Sequence, residues 1–345
     1  MISDTMPTSD TMRAMVVDAP GGPEVLVARR LPIPEPGAGQ LRIKVAYAGM
    51  NPLDAMVRRE RLAWLPVAYP LVPGMEHTGV VDAVGEGVDP ALVGRRVLSR
   101  QGFGGYAEYS VASAAAVIFL PDGISLEVGA AYRGCTSTAW YALHGAARVR
   151  EGDRVLVHSA AGAVGAMALQ IARDAGARVC GLAGGPAKQA FAAGILSDPR
   201  GTVLDYLRDD WVEQARAFAG PDGFDVILDG NGGPNAARNL ELIGVLGRLV
   251  YIGATAGAPA PAVPTPVLIA RCFSVGGVDL RSAETKLGRV ADTVINEAFL
   301  AGRWRAPLSE VVPLSAVADL HRRLEARELM GRVVIEVGGA QPRRA

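Results

Sequence analysis

The chain has 345 residues, half of them hydrophobic and a fifth charged, enough for about two globular domains with a substantial core. Lys plus Arg equals Asp plus Glu at 35 each, so there is no electrostatic reason to expect nucleic acid or an anionic membrane as a partner. Cys135, Cys180 and Cys272 are scattered and odd in number, which excludes a readable disulfide framework or CxxC metal knuckle and leaves them as small, reduced, apolar filler.

The opening MISDTMPTSDTM is polar and lacks the apolar stretch of a signal peptide, and no apolar run reaches the length of a membrane span. A cytoplasmic protein with a frayed N-terminal extension is expected. From Met15 to about Ala130 the text is rich in Gly and Pro. LRIKVAYAGM, TGVVDAVGEGV, GRRVLSR and YAEYSVA are short β-branched runs between turn signals, the pattern of a β-barrel or sandwich. From about Ala131 to Leu280 the strands RVLVHS, ARVCGLA, FDVILDG and GRLVYIG alternate with helical stretches such as AVGAMALQIARDAG and NAARNLELIGVLG. Short apolar runs alternating with helices predict a doubly wound α/β domain with a parallel sheet. The tail from about Ser282 holds two amphipathic helical stretches and a last strand, GRVVIEV.

The most informative stretch is VLVHSAAGAVGAMALQIARDAGARV, a strand, a small-residue turn and a helix. AAGAVG resembles the dinucleotide fingerprint G-x-G-x-x-G with Ala160 at the first glycine. The free N–H groups of a helix N-terminus favour anions. Gly162 stands where backbone approaches a pyrophosphate, and Gly165 where the helix packs closely on the strand. Ala160 replaces only the turn glycine, which a methyl tolerates if φ stays negative. The six-residue pattern alone is weak in a chain with 42 glycines; the strand before it, the helix after it and a second strand about twenty residues on give it force. No acidic residue occurs between Asp174 and Asp198, where an NAD site places its ribose-binding carboxylate. The loop AGGPAK brings Lys188 instead, which suits a 2′-phosphate, so NADP(H) is expected over NAD(H).

Taken in order, AGMNPLDAMVR, VPGMEHTGVVDAVGEGV, GGYAEY, TSTAWYAL, GDRVLVHSAAGAVGAMALQIA, FDVILDGNGG and GRVVIEV resemble the medium-chain dehydrogenase/reductase superfamily, in its zinc-free NADPH quinone oxidoreductase branch. The resemblance implies a GroES-like β-barrel domain at 1–132 and 284–345, a Rossmann domain at 133–283, and an active site in the cleft between them. The zinc alcohol dehydrogenases of the superfamily hold catalytic zinc with a Cys and a His where this chain has Asn51 and Met75. Cys135 is displaced from the third position, and the four-cysteine zinc loop is absent, so no metal is expected. His77, beside Glu76, is the best residual candidate ligand; His144, His158 and His321 form no cluster with it.

By the same resemblance, Asn51 approaches the nicotinamide end of the cofactor and the substrate, Asp54 is a family acid just beyond it, and Thr138 stands near the nicotinamide; these are the candidate catalytic residues. Met56 falls where many quinone reductases carry a tyrosine, which removes a phenol and makes the pocket more apolar. Ala160, Gly162, Ala163, Val164 and Gly165 would lie along the pyrophosphate. Gly184 and Lys188 match 2′-phosphate contacts, Tyr206 the adenosine phosphate, and Asn231 and Gly253 loops bordering the cofactor. Without a Lewis acid, the accessible reaction is hydride transfer from NADPH to a conjugated acceptor, a quinone or an α,β-unsaturated carbonyl compound. An NADPH-binding protein with a structural or sensing role and little catalysis is the alternative reading; a metal-dependent alcohol dehydrogenase is disfavoured by Asn51 and Met75. Trp64 and Tyr69 are candidates for an aromatic wall over the cleft. RCFSVGGVDL reads as the last strand of the Rossmann sheet, an edge at which relatives dimerise.

Overall fold

The computed structural model describes residues 10–60, 65, 67–100, 102–255, 257 and 260–338. In chain order the first part forms strands β1 (Thr11–Val17), β2 (Leu26–Pro32), β3 (Gln40–Gly49), β4 (Glu76–Val84), β5 (Arg96–Ser99), β6 (Tyr109–Ser113) and β7 (Ile118–Phe119), with helices α1 (Pro52–Arg58) and α2 (Leu126–Trp140). The middle part alternates: β8 (Arg154–Val157), α3 (Ala163–Asp174), β9 (Arg178–Ala183), α4 (Pro186–Leu196), β10 (Thr202–Asp205), α5 (Trp211–Ala219), β11 (Phe224–Asp229), α6 (Asn239–Leu242), β12 (Ile243–Tyr251), α7 (Thr265–Arg271) and β13 (Ser274–Gly277). Helices α8 (Leu280–Leu287) and α9 (Ala291–Leu300) follow, then β14 (Leu308–Pro313), α10 (Val317–Glu325) and β15 (Arg332–Glu336).

Two units result, Met1–Tyr132 with Leu308–Ala345, and Arg133–Pro307. In the first, β1 and β2 form a hairpin, and a seven-stranded sheet runs β14-β15-β3-β4-β5-β7 with β6 paired to β3. Strand β3 shows why this GroES-like unit folds: Leu41, Ile43 and Val45 alternate inward at a period of two and are fully buried with Val97, Val333 and Ile335.

In the second unit the sheet order is β10-β9-β8-β11-β12-β13 and every pairing is parallel. Numbered from β8, that is the 3-2-1-4-5-6 order of the doubly wound Rossmann fold. Val155–Val157 and Val226–Leu228 are completely buried, as expected of central strands covered on both faces.

Two expectations change. Residues 284–307, read from sequence as part of the barrel domain, fall in the second unit. Arg133 pairs with Asp292 and donates to Asn296 Oδ1 at 3.1 Å, the Tyr141 hydroxyl donates to the Gly288 carbonyl at 2.5 Å, and the Gln170 amide exchanges two bonds with the Arg305 backbone. The stretch NAARNLELIGVLG is helical only through α6 and then becomes β12. A Cβ on Gly244 would stand 2.2 Å from the Asp222 carbonyl, so backbone packs there too closely for a helix carrying side chains.

Candidate functional site

Strand β8 ends at Val157, and the chain must reverse into α3 within a few residues. Ser159, not Ala160, takes the left-handed conformation, at φ 51°. Ala160 therefore keeps a backbone open to any residue, and its N–H donates to the Leu182 carbonyl at 2.9 Å. Its methyl is fully buried and fits because the next strand carries Gly181, whose added Cβ would lie 2.9 Å from it. Gly165 is compulsory: a Cβ would meet the Ser159 carbonyl oxygen at 2.2 Å and Ala160 Cα at 2.9 Å. Gly162 is the N-cap of α3, at φ −83° and ψ 167°, and a Cβ there would touch only Ser159. Gly162, Ala163 and Val164 are partly exposed, while Ala160 is not. The helix's unpaired first-turn N–H groups thus lie at 163–165, and Ala160 supports the turn from below instead of lining it.

At the ends of β9 and β10, register pairs Ala183 with Asp205. Gly184 is a glycine because Tyr206 lies across it, with the phenol oxygen 2.7 Å from where a Cβ would be. Asp205 Oδ1 accepts from Gly185 N at 2.9 Å and Leu207 N at 3.0 Å, and those bonds hold its carboxyl below the usual range. Gly185, at φ 82°, caps α4, and Lys188 sits half-buried in its first turn.

At the end of β11, the buried Asp229 organises the next loop. Its Oδ1 accepts from Asn231 N at 2.8 Å and Gly232 N at 3.0 Å, and its Oδ2 from Asn239 Nδ2 at 2.8 Å. The Asn239 amide oxygen faces His158 Nε2 at 2.8 Å. Asn231 Oδ1 in turn accepts from Ser159 Oγ at 2.7 Å and Thr255 Oγ1 at 3.0 Å. The loop after β12 closes on the same place: a Cβ at Gly253 would lie 2.8 Å from the Gly230 carbonyl. Thr138, half-buried on α2, donates its hydroxyl to the Gly134 carbonyl at 2.9 Å.

In the first unit, Asn51 caps α1 and is half-buried. Arg332 Nη1 donates to Asn51 Oδ1 at 2.6 Å and to the Met50 carbonyl at 2.7 Å, and Nη2 pairs with Glu76 in a buried ion pair. Gly49 admits the guanidinium, since a Cβ there would lie 2.6 Å from Arg332 Nη2. Asp54 is completely buried and accepts from the backbone N–H of Asn51 at 2.9 Å, Gly74 at 3.2 Å and Met75 at 3.0 Å. Burial raises its pKa to about 6, with those N–H groups and Arg332 opposing. Asp54, read from sequence as catalytic, is thus enclosed as the brace tying α1 to the segment before β4.

Behind it, Tyr106 donates to Met50 Sδ at 3.1 Å and faces His321 Nε2 at 3.4 Å, while Arg58 pairs with Glu325. Tyr69 donates to the Val57 carbonyl at 3.0 Å, bracing α1, and Trp64 lies outside the described residues. His77 is buried with Nε2 2.7 Å from Ser110 Oγ, and burial lowers its pKa to about 4.

The second unit therefore gathers the 160–165 turn, Gly184, Tyr206, Asn231 and Gly253 at the carboxyl edge of one sheet, around the reversal of strand order between β8 and β11. Asn51 and Asp54 belong to the first unit. Ser159, Gly181, Asp205, Asp229, Asn239 and Arg332 carry no reading from sequence, and Glu76 is read there only as a neighbour of His77. A lone arginine opening the apolar run of GRVVIEV was the one available signal for Arg332.

A family model described as alcohol dehydrogenase GroES-like domain matches residues 37–122, and one described as zinc-binding dehydrogenase matches residues 163–295. The human quinone oxidoreductase is 30% identical over 315 residues, 91% of this chain and 94% of the relative. The crystal structure of Escherichia coli quinone oxidoreductase complexed with NADPH superposes with a TM-score of 0.85 at 25% identity, covering 94% of this chain and 99% of that one. An NAD-dependent alcohol dehydrogenase superposes with a TM-score of 0.84 at 31% identity, covering 95% of this chain and 100% of that one. A two-unit chain with a GroES-like sheet and a parallel dinucleotide-type sheet is a dehydrogenase/reductase of the medium-chain type. The chain belongs to the medium-chain dehydrogenase/reductase superfamily, in its quinone oxidoreductase branch.

The zinc named in one model's description does not fit the residues present. Asn51 and Met75 are poor ligands, and a guanidinium already occupies the carboxylate of Glu76. Among the described residues, no three His, Cys, Asp or Glu side chains group as metal ligands.

Proposed function

We propose that the chain is an NADPH-dependent oxidoreductase that reduces quinones or α,β-unsaturated carbonyl compounds without a metal ion. The observation that carries it is the α3 N-terminus, where Gly162 caps the helix, Gly165 lets it close on the turn, and the first-turn N–H groups at 163–165 have no intrahelical partner and suit a pyrophosphate. Lys188 in the first turn of α4 and Tyr206 across Gly184 suit the adenosine phosphate end. The NADPH complex of the E. coli relative supports the same choice. The NAD-dependent neighbour argues the other way, but here no acid stands between Asp174 and Asp198.

Bound NADPH supplies a hydride equivalent to an electron-poor acceptor. The chain's residues do the rest. The 163–165 amides and Lys188 fix the coenzyme's phosphates. Asn231 holds the loop after β11 through Ser159 and Thr255, and Thr138 and Gly253 border the nicotinamide. Asn51 offers an amide N–H to the acceptor oxygen as negative charge develops there, a donor worth about 2.7–4 kcal/mol when well aimed. Asp54 keeps the Asn51 turn in place. The final proton comes from solvent.

Strand β13 ends the sheet with all four residues exposed, and pairing with a second copy would cover it, so a homodimer is part of the reading. No helix among the described residues is long and apolar enough to cross a membrane, and a cytoplasmic location is part of the proposal. An acceptor panel with NADPH and NADH tests the function. Quinone- or enone-dependent NADPH oxidation that exceeds the NADH rate is expected. Inactivity with both acceptor classes while NADPH binds would instead favour a sensing role.

A further inference from the structure

Asn51 and Arg332 stand 281 residues apart in sequence, yet the guanidinium reaches the amide oxygen at 2.6 Å. An asparagine amide can present either its oxygen or its NH2 group to a ligand, and nothing in the residue itself selects between them. Arginine has donors only, so its partner here must be Oδ1; the flipped amide would set donor against donor. One Nδ2 hydrogen goes to the Gly49 carbonyl at 3.3 Å. The other has no partner among the described residues, and it is the N–H left for a ligand. Donation from a cation to Oδ1 also polarises the amide and strengthens that N–H as a donor.

The guanidinium is itself immobilised. Glu76 holds Nη2, the Met50 carbonyl accepts from Nη1, and Gly49 leaves room for the group to lie against its Cα. The planar fork reaches the carboxylate with one nitrogen and the carbonyl and amide oxygens with the other, whereas an ammonium carries all its donors on one atom and cannot span the same three groups in place.

We propose that Arg332 is a positioning residue that locks the Asn51 amide as a hydrogen-bond donor, making the site selective for hydride acceptors whose oxygen becomes anionic. The proposal rests on the reading of Asn51 as the group that meets the acceptor oxygen.

The experiment compares Asn51→Asp, Arg332→Lys, the double variant of the two, and Glu76→Gln/Arg332→Gln, which removes the buried charges as a pair in case the lysine variant misfolds. Quinone turnover, NADPH affinity and melting temperature are measured for each. Asn51→Asp keeps an oxygen for Arg332 but loses the N–H, so kcat falls about 10²-fold with NADPH affinity and melting temperature kept. Arg332→Lys and the charge-neutral pair lose kcat in the same way. Because Arg332 acts through Asn51, adding Arg332→Lys to Asn51→Asp lowers kcat no further. Folded variants of either position that turn over quinone at the wild-type kcat would overturn the proposal. So would a double variant whose losses multiply, since a merely structural role adds to the loss at Asn51. A wild-type protein that binds NADPH but reduces no quinone would instead refute the functional reading on which it rests.

Discussion

The methyl of Ala160 lies in the space that a side chain at Gly181 would occupy, 2.9 Å from its Cβ position. Ala160 lies in the turn after β8 and Gly181 within the adjacent β9, so the alanine in the turn is possible because the glycine is on the next strand. Gly181→Ala should therefore overpack a fully buried contact and destabilise the second unit by roughly 1–3 kcal/mol. Adding Ala160→Gly should recover much of that loss. Urea denaturation of the two single variants and the double measures the coupling directly.

Gly165 has no such escape, because the atoms around its missing Cβ are backbone. Gly165→Ala must displace the Ser159 carbonyl and hence the turn. Calorimetric titration should show NADPH affinity falling at least about tenfold, the equivalent of roughly 1.4 kcal/mol. Gly162→Ala, whose added methyl meets only Ser159, should leave the fold intact and weaken the cofactor alone.

In the proposed function Lys188 meets the 2′-phosphate. Lys188→Ala should raise the NADPH Kd about tenfold, as expected from losing a charge-assisted bond of roughly 1.5 kcal/mol. The NADH Kd should not move. Equal losses for both coenzymes would make Lys188 a general support for α4.

Acid stability has a defined sign. Burial, with Arg58 adding to it, lowers His321 to about 3, and burial lowers His77 to about 4. A base depressed in the folded state contributes stability above its unfolded value, about 6.5, and that contribution is lost as pH falls toward the folded value. Asp54 works in the opposite sense: raised to about 6, it favours the folded state below about 4 and loses that advantage as pH rises through 6. The two histidine shifts together exceed the aspartate shift, so urea midpoints should drop as pH falls from 6.5 to about 4. His321→Gln should flatten that slope; an unchanged slope would place the acid sensitivity elsewhere.

Strand alternation, the parallel sheet and the glycine turn between β8 and α3 were legible because each rests on local pattern: apolar runs, and glycines at fixed offsets. Pairings across the chain were not. Gly181 matters to Ala160 only through the β8–β9 register, and Arg332 meets Asn51 only because β15 pairs antiparallel with β3. The carboxylate of Asp54 invited a catalytic reading, yet three backbone N–H groups and complete burial make it a brace. The end of the second unit was misplaced for a similar reason. Residues 284–307 look like ordinary amphipathic helix, and it is side-chain bonds such as Arg133–Asp292, Tyr141–Gly288 and Gln170–Arg305 that attach them to the parallel-sheet unit.

The most direct measurement is NADPH oxidation with a small quinone as acceptor, before and after exhaustive treatment with a metal chelator. Sustained turnover that survives chelation unchanged is predicted. No turnover despite bound NADPH, or turnover that chelation abolishes and zinc restores, would contradict the metal-free hydride transfer on which the functional reading depends.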